Sequence, residues 1–319
     1  MKSLRKFLLL TAVPLLLLLN SCDRKGQQSW EVINIPGLNN YTIVSVDFSN
    51  NDKGMIVASL TGRSRIYRTT DGAQTWELSF EIDYGLHDIK IIGNENVIAV
   101  GNRGILRSTD FGIHWKKIGS ISSEPLIAVD FSSSDIGLSV GKNGTILLTA
   151  DGGNTWEKQV SGSTSFLNDV TFIDSNAAIS VGSDATILHT DDGGKTWLST
   201  ETNFKENLTG VYFSDLQKGV AMGYYGTIFQ SVDGGNTWQK RESHTGNSLL
   251  GVDFYGETGI IVGFGGTILK TVDAGRNWEF VKSGSDRGLY DVYMIDSEKV
   301  VIVGDKGTIM KNKIGFSQF

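Results

Sequence analysis

The sequence predicts an all-β protein in which one unit of about 40 residues repeats along the chain. Tryptophans recur at nearly constant spacing, 39, 41, 41, 41 and 40 residues apart. Short segments of alternating apolar and polar residues are separated by turns rich in Gly, Asn and Asp, a pattern typical of short strands. Glycine makes up 39 of 319 residues, and the excess lies at these turns, where a positive φ is needed. The regularly spaced tryptophans are Trp76, Trp115, Trp156, Trp197, Trp238 and Trp278.

Each unit contains four predicted strands in the same order. The first alternates, as in Leu167-Asn168-Asp169-Val170, and the second ends in Val-Gly or a variant of it. The third follows a tight glycine turn, as from Gly144 to Thr149, and the fourth begins at the tryptophan. First strands start near residues 43, 86, 126, 167, 208, 249 and 289. Four antiparallel strands in each of seven units predict a seven-bladed β-propeller.

The seventh unit lacks its own tryptophan hairpin, because it runs through Gly307-Thr308-Ile309-Met310 and then ends. The segment Trp30-Glu31-Val32 matches the missing piece, as comparison with Trp156-Glu157-Lys158 shows. We therefore expect the N-terminal strand to complete blade seven and close the ring, which removes free sheet edges. Residues 30–319 then form a single domain, since no unit can bury its faces alone.

The N-terminus predicts export and a lipid anchor. Basic residues precede an apolar run from Phe7 to Leu19, which is too short for a stable membrane span and reads as a secretory signal. The run ends in Leu19-Asn20-Ser21-Cys22, which resembles the bacterial lipoprotein signal box. We expect residues 1–21 to be a lipoprotein signal peptide, Cys22 to be lipidated and residues 22–29 to be a polar tether. The alternative is ordinary signal cleavage with an incidental Cys22. The expected location is the bacterial cell envelope.

Charge and cysteine content narrow the classes of ligand. Removal of Lys2, Arg5 and Lys6 with the signal leaves 26 Lys+Arg against 35 Asp+Glu, a net charge of −9, which argues against nucleic acid as a partner. Cys22 is the sole cysteine, so neither an internal disulfide nor a cysteine metal site can form. The four histidines lack the spacing of a metal site. No metal and no cofactor are predicted.

The tryptophan-ended segment resembles the Asp-box, or bacterial neuraminidase repeat, with the pattern Ser/Thr-x-Asp-x-Gly-x-Thr-Trp. We expect the carboxylate to accept hydrogen bonds from turn N–H groups and the indole to be buried between sheets, a structural role for each. The first copy has Ala73 in place of glycine, so we expect a distorted turn there. The predicted structural aspartates are Asp71, Asp110, Asp151, Asp192, Asp233 and Asp273, each paired with the tryptophan five residues on.

The sequence gives no positive sign of catalysis, and no catalytic residue is predicted. Sialidases resemble the chain in the Asp-boxes only, and the Arg-Ile-Pro segment that they need is absent. The innermost strands carry aspartates that could serve as the acid and base of a glycoside hydrolase. The alternative is that they cap strands and bond neighbouring backbone around the central channel, where a cation could also bind. These residues are Asp47, Asp88, Asp130, Asp169, Asp253 and Asp291.

The turns between second and third strands form the candidate binding face. Blades one to three present cations there, and blades five and six present aromatic rings. Such a surface suits an acidic or amphipathic protein segment, or stacking on a sugar ring; the alternative is a solvated ring of loops. Arg68 and Arg107 follow on the third strands. The candidate residues are Arg63, Arg65, Arg103, Lys142, Tyr224, Tyr225 and Phe264.

The complete unit, Gly-Thr-Ile-Leu-x-Thr-x-Asp-Gly-Gly-x-Thr-Trp after Val-Gly, resembles the photosystem II stability/assembly factor family over residues 30–312. The resemblance implies a seven-bladed, non-enzymatic propeller that binds membrane proteins during assembly, with a patch of arginines that could correspond to Arg63 to Arg107. We therefore expect a monomeric, lipid-anchored interaction or assembly scaffold with an envelope or membrane protein as partner. The alternative is a polysaccharide-binding or glycoside-hydrolase-like propeller with a glycan ligand.

Overall fold

The computed structural model describes residues 30–119, 122–202 and 204–312. The predicted signal peptide, Cys22, the tether and residues 313–319 lie outside the described residues. Within the described part, no helix is long and apolar enough to cross a bilayer. The chain there forms strands, joined in four places by one-turn 3-10 helices, Lys142–Gly144, Tyr224–Gly226, Phe264–Gly266 and Asp305–Gly307.

The strands form seven sheets, one for each predicted unit. Blade 1 contains β2 (Thr42–Phe48), β3 (Gly54–Leu60), β4 (Arg63–Thr69) and β5 (Glu77–Ile82). Blade 2 contains β6 (Leu86–Ile92), β7 (Asn96–Gly101), β8 (Gly104–Ser108) and β9 (Lys116–Ile118). Blade 3 contains β10 (Leu126–Phe131), β11 (Gly137–Gly141), β12 (Ile146–Thr149) and β13 (Glu157–Gln159). Blade 4 contains β14 (Leu167–Phe172), β15 (Ala178–Gly182), β16 (Ile187–Thr190) and β17 (Leu198–Ser199). Blade 5 contains β18 (Leu208–Phe213), β19 (Gly219–Gly223), β20 (Ile228–Ser231) and β21 (Gln239–Arg241). Blade 6 contains β22 (Leu249–Tyr255), β23 (Thr258–Gly263), β24 (Thr267–Thr271) and β25 (Glu279–Phe280). Blade 7 contains β26 (Leu289–Met294), β27 (Val300–Gly304), β28 (Thr308–Asn312) and β1 (Trp30–Ile33).

The N-terminal strand closes the ring, as the sequence predicts. In blade 7, β1 pairs antiparallel with β28, and the register joins Trp30 to Asn312 and Ile33 to Ile309. The other six blades each use four consecutive strands, ordered from first to fourth. The fold is therefore an all-β, seven-bladed propeller with four-stranded antiparallel blades, and it joins the two ends of the described chain.

The ring has two faces with different turns. On the upper face, the turns between second and third strands meet the connections from blade to blade; Asn102 N–H, for example, donates to Gly85 O at 2.9 Å. On the lower face, the turns between first and second strands meet the Asp-box turns, as where Gly72 N–H donates to Asp52 O at 3.0 Å.

The Asp-box turn is held by its own side chains. In the third copy, Thr149 Oγ1 donates to Asp151 Oδ1 and accepts from Gly153 N–H, both at 2.9 Å. Asp151 also accepts from the backbone N–H of Thr155 at 2.9 Å and from its hydroxyl at 2.6 Å. The carboxylate therefore fixes the turn, as predicted from its position.

The hydroxyl and backbone hydrogen bonds of the turn at Ala73 are not distorted, but the buried indole N–H of Trp76 lacks the acceptor that Trp156 finds in Gly153 O at 3.2 Å. The N–H of Ala73 bonds Thr69 Oγ1 at 3.1 Å, and Thr75 Oγ1 donates to Asp71 Oδ2 at 2.6 Å, as in the other copies. Ala73 adopts φ 63°, in the left-handed region that alanine can reach at a cost of about 1–2 kcal/mol. The hydrogen bonds of the box therefore hold the turn without glycine.

Each box packs against the preceding blade. A Cβ on Gly153 would lie 2.6 Å from Ile98 Cδ1 of blade 2, so a side chain there would force the neighbour to move. Trp156 is buried in the cluster between these blades, with Ile98 and Leu147 among its members. Trp30 takes the same place between blades 6 and 7, and its indole N–H donates to Lys282 O at 3.1 Å.

We predict that Trp156→Ala lowers the free energy of unfolding by about 3–5 kcal/mol, because it removes a buried ring and leaves a cavity between blades. Leu78→Ala, at an exposed apolar position on β5, is the control and should cost less than about 1 kcal/mol. Urea unfolding, followed by far-ultraviolet circular dichroism of the backbone, measures the free energy of unfolding of both variants. Equal losses would show that the box tryptophan does not hold the blades together.

Candidate functional site

The structure brings the seven predicted binding residues onto the upper face. Lys142, Tyr224 and Phe264 each begin a 3-10 turn that follows a second strand. Arg103 lies in the turn from β7 to β8, and Arg63 begins β4 directly after the equivalent turn. All of these side chains except Arg65 are exposed, so a partner approaching this face would meet them first.

The arginine sector is partly neutralised by nearby acids. Arg65 Nε donates to Glu81 Oε2 at 2.5 Å, and its guanidinium lies 5.0 Å from the ring centroid of Tyr41. Arg103 is 3.9 Å from Asp83, and both side chains are well exposed. Such exposed pairs contribute little to stability. Of the four predicted cations, Arg63, Arg103 and Lys142 are exposed, while Arg65 is half-buried.

Arg68 and Arg107 hold the ring together rather than extend the binding face. Arg68 Nη1 donates to Phe111 O at 3.3 Å, and Arg107 Nε donates to Gly152 O at 2.8 Å. Each acceptor belongs to the Asp-box turn of the following blade. Two further side chains make the same type of bond, Gln230 to Ala274 O at 2.6 Å and Lys311 to Gly72 O at 2.8 Å. Arg68 and Arg107 therefore add little to the positive charge that the upper face offers a ligand.

The aromatic sector contains a strained and exposed tyrosine. Tyr225 has φ 58° and ψ 33°, and it is 80% exposed. A bulky residue in the left-handed region is uncommon and costs about 1–2 kcal/mol. Its ring meets that of Tyr224 edge to face with centroids 6.4 Å apart. The corresponding position of blade 6 is Gly265, with φ 65°.

Two features of this sector were not predicted. Tyr290, the second residue of β26, packs edge to face against Phe264 with centroids 5.8 Å apart and joins the face to the channel mouth. Beside Tyr225 lies a groove of about 910 Å³, where Phe204 stacks on Phe229 of blade 5. The half-buried second position of the first strand could have signalled Tyr290, but the groove depends on a connection between blades that has no repeat pattern.

The channel aspartates connect first strands across six of the seven junctions between blades. Each carboxylate accepts a hydrogen bond of 2.6–2.9 Å from a backbone N–H on the first strand of the next blade. The pairs are Asp47 with Ile91, Asp88 with Val129, Asp130 with Phe172, Asp169 with Val211, Asp253 with Met294, and Asp291 with Val46. At the remaining junction, between blades 5 and 6, Tyr212 OH donates to Phe254 O at 3.2 Å. The interpretation that these carboxylates bond neighbouring backbone around the channel is confirmed for all six.

Burial in the channel favours the neutral form of these acids. Loss of solvation raises the pKa of Asp169 to about 8, that of Asp253 to about 7 and that of Asp47 to about 6. Neighbouring carboxylates add to these shifts: Asp88 and Asp130 act on Asp169 and Asp47, and Asp47 acts on Asp253. Lys90 forms an ion pair with Asp130 at 2.9 Å, and this carboxylate raises the lysine pKa. Within residues 30–119, 122–202 and 204–312, no three His, Cys, Asp or Glu side chains are placed to hold a metal ion.

The chain matches the sequence model of one protein family along nearly its whole length. The sequence model of photosynthesis system II assembly factor YCF48 matches residues 22–123, 120–205 and 197–315. The chain belongs to this family. The resemblance drawn from the repeat unit is thereby confirmed. A comparison with curated protein sequences gives no match.

Solved structures of the family share the fold. One, described as YCF48 bound to D1 peptide, has a TM-score of 0.74 and 19% sequence identity, with 90% of this chain and 96% of that chain covered. Another, YCF48 from Cyanidioschyzon merolae, has a TM-score of 0.73 and 19% identity, with 89% and 98% covered. At this identity the likeness establishes the seven-bladed architecture, and the residues of the upper face must be argued from this chain alone.

We predict that the protein becomes more stable as the pH falls from about 8.5 to about 5.5. The folded-state pKa values of Asp169, Asp253 and Asp47 exceed the unfolded value of about 4, so the folded chain binds more protons in this window. Stability is therefore lost as the pH rises through the folded pKa values, by up to about 1.4 kcal/mol per pH unit for each group. Urea midpoints across this range measure the slope.

Asp169→Asn should flatten that slope between about pH 7 and 8.5, because the amide keeps an acceptor for Val211 but does not titrate. Asp135→Asn, at an exposed turn of the lower face, should leave it unchanged. Below about pH 4 the trend reverses, since the backbone and hydroxyl bonds of Thr196 hold the pKa of Asp192 at about 2. A midpoint that rises with pH from 5.5 to 8.5 would contradict the account.

Proposed function

We propose that this chain is a lipid-anchored assembly scaffold of the bacterial envelope, and that its upper face binds a segment of a membrane protein. Membership of the YCF48 family over nearly the whole ring supports a role in protein assembly. A relative of the same fold has been solved with a D1 peptide bound, which supports a protein segment as the ligand. Lipidation of Cys22, followed by the tether of residues 22–29, would hold the ring at a membrane.

The upper face has the chemistry to bind an amphipathic segment. Arg63, Arg103 and Lys142 place positive charge on blades 1 to 3 of an otherwise acidic protein. Tyr225 and Phe264 place exposed aromatic rings on blades 5 and 6. A segment with acidic side chains on one part and apolar side chains on another would satisfy both sectors at once, and the charge would set its direction.

The exposure of Tyr225 carries the proposal. Its left-handed conformation is common to this turn, since Gly265 adopts it in blade 6 and Asn143 and Lys306 adopt it in blades 3 and 7. Tyr225 adopts it at a cost in backbone strain, and most of its large ring lies in water, where it contributes no burial to the fold. Tyrosine is enriched in the centres of protein interfaces because it offers a large apolar area with few rotatable bonds. A binding role explains why this side chain is kept.

We predict that the triple variant Arg63→Glu, Arg103→Glu, Lys142→Glu loses at least about tenfold in the amount of envelope protein retained by cross-linking and co-purification, because charge reversal repels an acidic segment. The control, Lys116→Glu, Lys158→Glu, Lys195→Glu, makes the same charge change at exposed sites on the outer edge and lower face. Equal partner recovery from both variants would overturn the upper face as the site. Retention of envelope polysaccharide in place of protein would favour the glycan-binding alternative.

A second prediction separates binding from stability. Tyr225→Gly should leave the free energy of unfolding unchanged or raise it by up to about 1 kcal/mol, because relief of the backbone strain offsets the greater freedom that glycine gives the unfolded chain. Partner recovery should fall at least about fivefold. Phe280→Gly, which removes an exposed ring from the outer strand β25, should not change partner recovery. A Tyr225→Gly protein that is destabilised and still binds would show that the tyrosine is structural.

A further inference from the structure

The N-terminal strand enters the ring at its lower face. β28 begins directly after the upper-face turn Asp305–Gly307 and runs down to Asn312. β1 pairs with it antiparallel, so Trp30 lies beside Asn312 at the lower end and Ile33 lies nearer the upper end. The chain that precedes Trp30 therefore joins the ring at the face opposite to the candidate binding face.

The lower face also carries a group of exposed apolar side chains, here called the lower patch. Its members are more than half exposed, between 51% and 64%, and all four lie in blades 5 and 6. They are Leu216, Val232, Tyr255 and Val272. Val232 and Val272 occupy the second position of their Asp-boxes, where the first four boxes have Thr70, Thr109, Ala150 and Asp191.

Hydrogen bonds within and between the two blades hold together the turns that carry the lower patch. In blade 5, Gly234 N–H donates to Gln217 O at 3.0 Å, which joins the turn that carries Leu216 to the box that carries Val232. In blade 6, Ala274 N–H donates to Glu257 O at 2.9 Å and joins the turn of Tyr255 to the box of Val272 in the same way. Gln230 Nε2 to Ala274 O, at 2.6 Å, links the two boxes.

The lower patch has no surplus of positive charge. Lys218 Nζ lies 2.7 Å from Glu257 Oε1, an ion pair that spans the two blades, and Asp215, Asp233 and Asp273 adjoin Leu216, Val232 and Val272 in the chain. An anionic ligand would therefore gain nothing from charge here. An apolar ligand that is already held nearby would gain more, because tethering raises its effective concentration and a few partly buried side chains then suffice for contact.

We propose that the lower patch rests on the surface of the lipid bilayer to which the chain is anchored, so that the upper face points away from the membrane toward its partner. The proposal rests on the lipid anchoring proposed above. An extended tether of eight residues, 22–29, spans at most about 28 Å, which keeps the Trp30 end of the ring close to the membrane. Blade 6, which holds half of the lower patch, is the direct neighbour of the anchored blade 7.

Probe depth in protein-free vesicles tests this orientation. Lipidation consumes the thiol of Cys22, so one introduced cysteine carries the only fluorophore. The sites are Gln217→Cys beside the lower patch, Asn94→Cys on the lower face of blade 2 and Thr61→Cys on the upper face. In phosphatidylethanolamine–phosphatidylglycerol vesicles with spin-labelled headgroups, we expect quenching at Gln217→Cys to be at least about threefold that at Thr61→Cys, with Asn94→Cys between them.

Variants at matched exposed positions identify the contact. Adding Leu216→Ser and Val272→Ser should bring quenching at Gln217→Cys down to the level of Asn94→Cys. Adding Leu78→Ser and Leu198→Ser, which remove exposed apolar side chains from outer strands, should not change it. Equal quenching at Gln217→Cys and Thr61→Cys would overturn the proposal. Quenching that disappears at one chain per vesicle would also overturn it and would indicate contact with a second copy.

A second arm separates this proposal from the anchoring itself. The mass of the N-terminal peptide reports whether Cys22 carries lipid. If it does not, the proposed anchoring fails. A Cys22→Ser chain with a hexahistidine placed before residue 22 is then attached to vesicles that contain nickel-chelating lipid. The same difference between Gln217→Cys and Thr61→Cys then decides the orientation, since the chain still joins the ring at Trp30.

Discussion

The pairing of β1 with β28 is the constraint on which the rest of the structure depends. Each blade of a propeller buries its faces only against its neighbours, so an open ring would expose the outer blades and leave strand edges free. Closure places Trp30 in the gap between blades 6 and 7 that an Asp-box tryptophan fills elsewhere. It also fixes the direction in which the N-terminal chain leaves the ring, and with it the two faces that a tethered protein presents.

A second set of interactions tightens the ring from within. Burying carboxylates costs desolvation, and a hydrogen bond from the next blade offsets part of that cost at each of six junctions. Around the ring the carboxylates fall at two depths along the first strands: Asp88, Asp169 and Asp291 reach the upper mouth, while Asp47, Asp130 and Asp253 lie deeper. This arrangement limits repulsion among like charges. Loss of solvation still raises the pKa values of Asp169 and Asp253. The channel that holds the blades together therefore also makes the stability of the fold depend on pH.

Repetition made most of the fold predictable from sequence. First strands begin at or within one residue of the predicted positions, since period-2 alternation and glycine turns are local signals. The Asp-box contacts are also local and were predicted from spacing. The prediction failed where the outcome depends on packing between units. Ala73 keeps its turn because the surrounding hydrogen bonds hold it, and Arg68 and Arg107 bond to turns more than 40 residues away in the chain. The residues predicted for the candidate binding face lie on one side of the ring, but the positive charge that they expose is smaller than the number of arginines from Arg63 to Arg107 indicates.

Cross-linking of the two chain ends tests closure most directly. Glu31 and Lys311 are paired across β1 and β28, so in a Cys22→Ser chain the substitutions Glu31→Cys and Lys311→Cys should form a disulfide on mild oxidation, visible as a mobility shift without reductant. The control pair, Glu31→Cys with Lys158→Cys on blade 3, should remain reduced at the same protein concentration. A disulfide in the control pair, or none between positions 31 and 311, would contradict the closed seven-bladed ring.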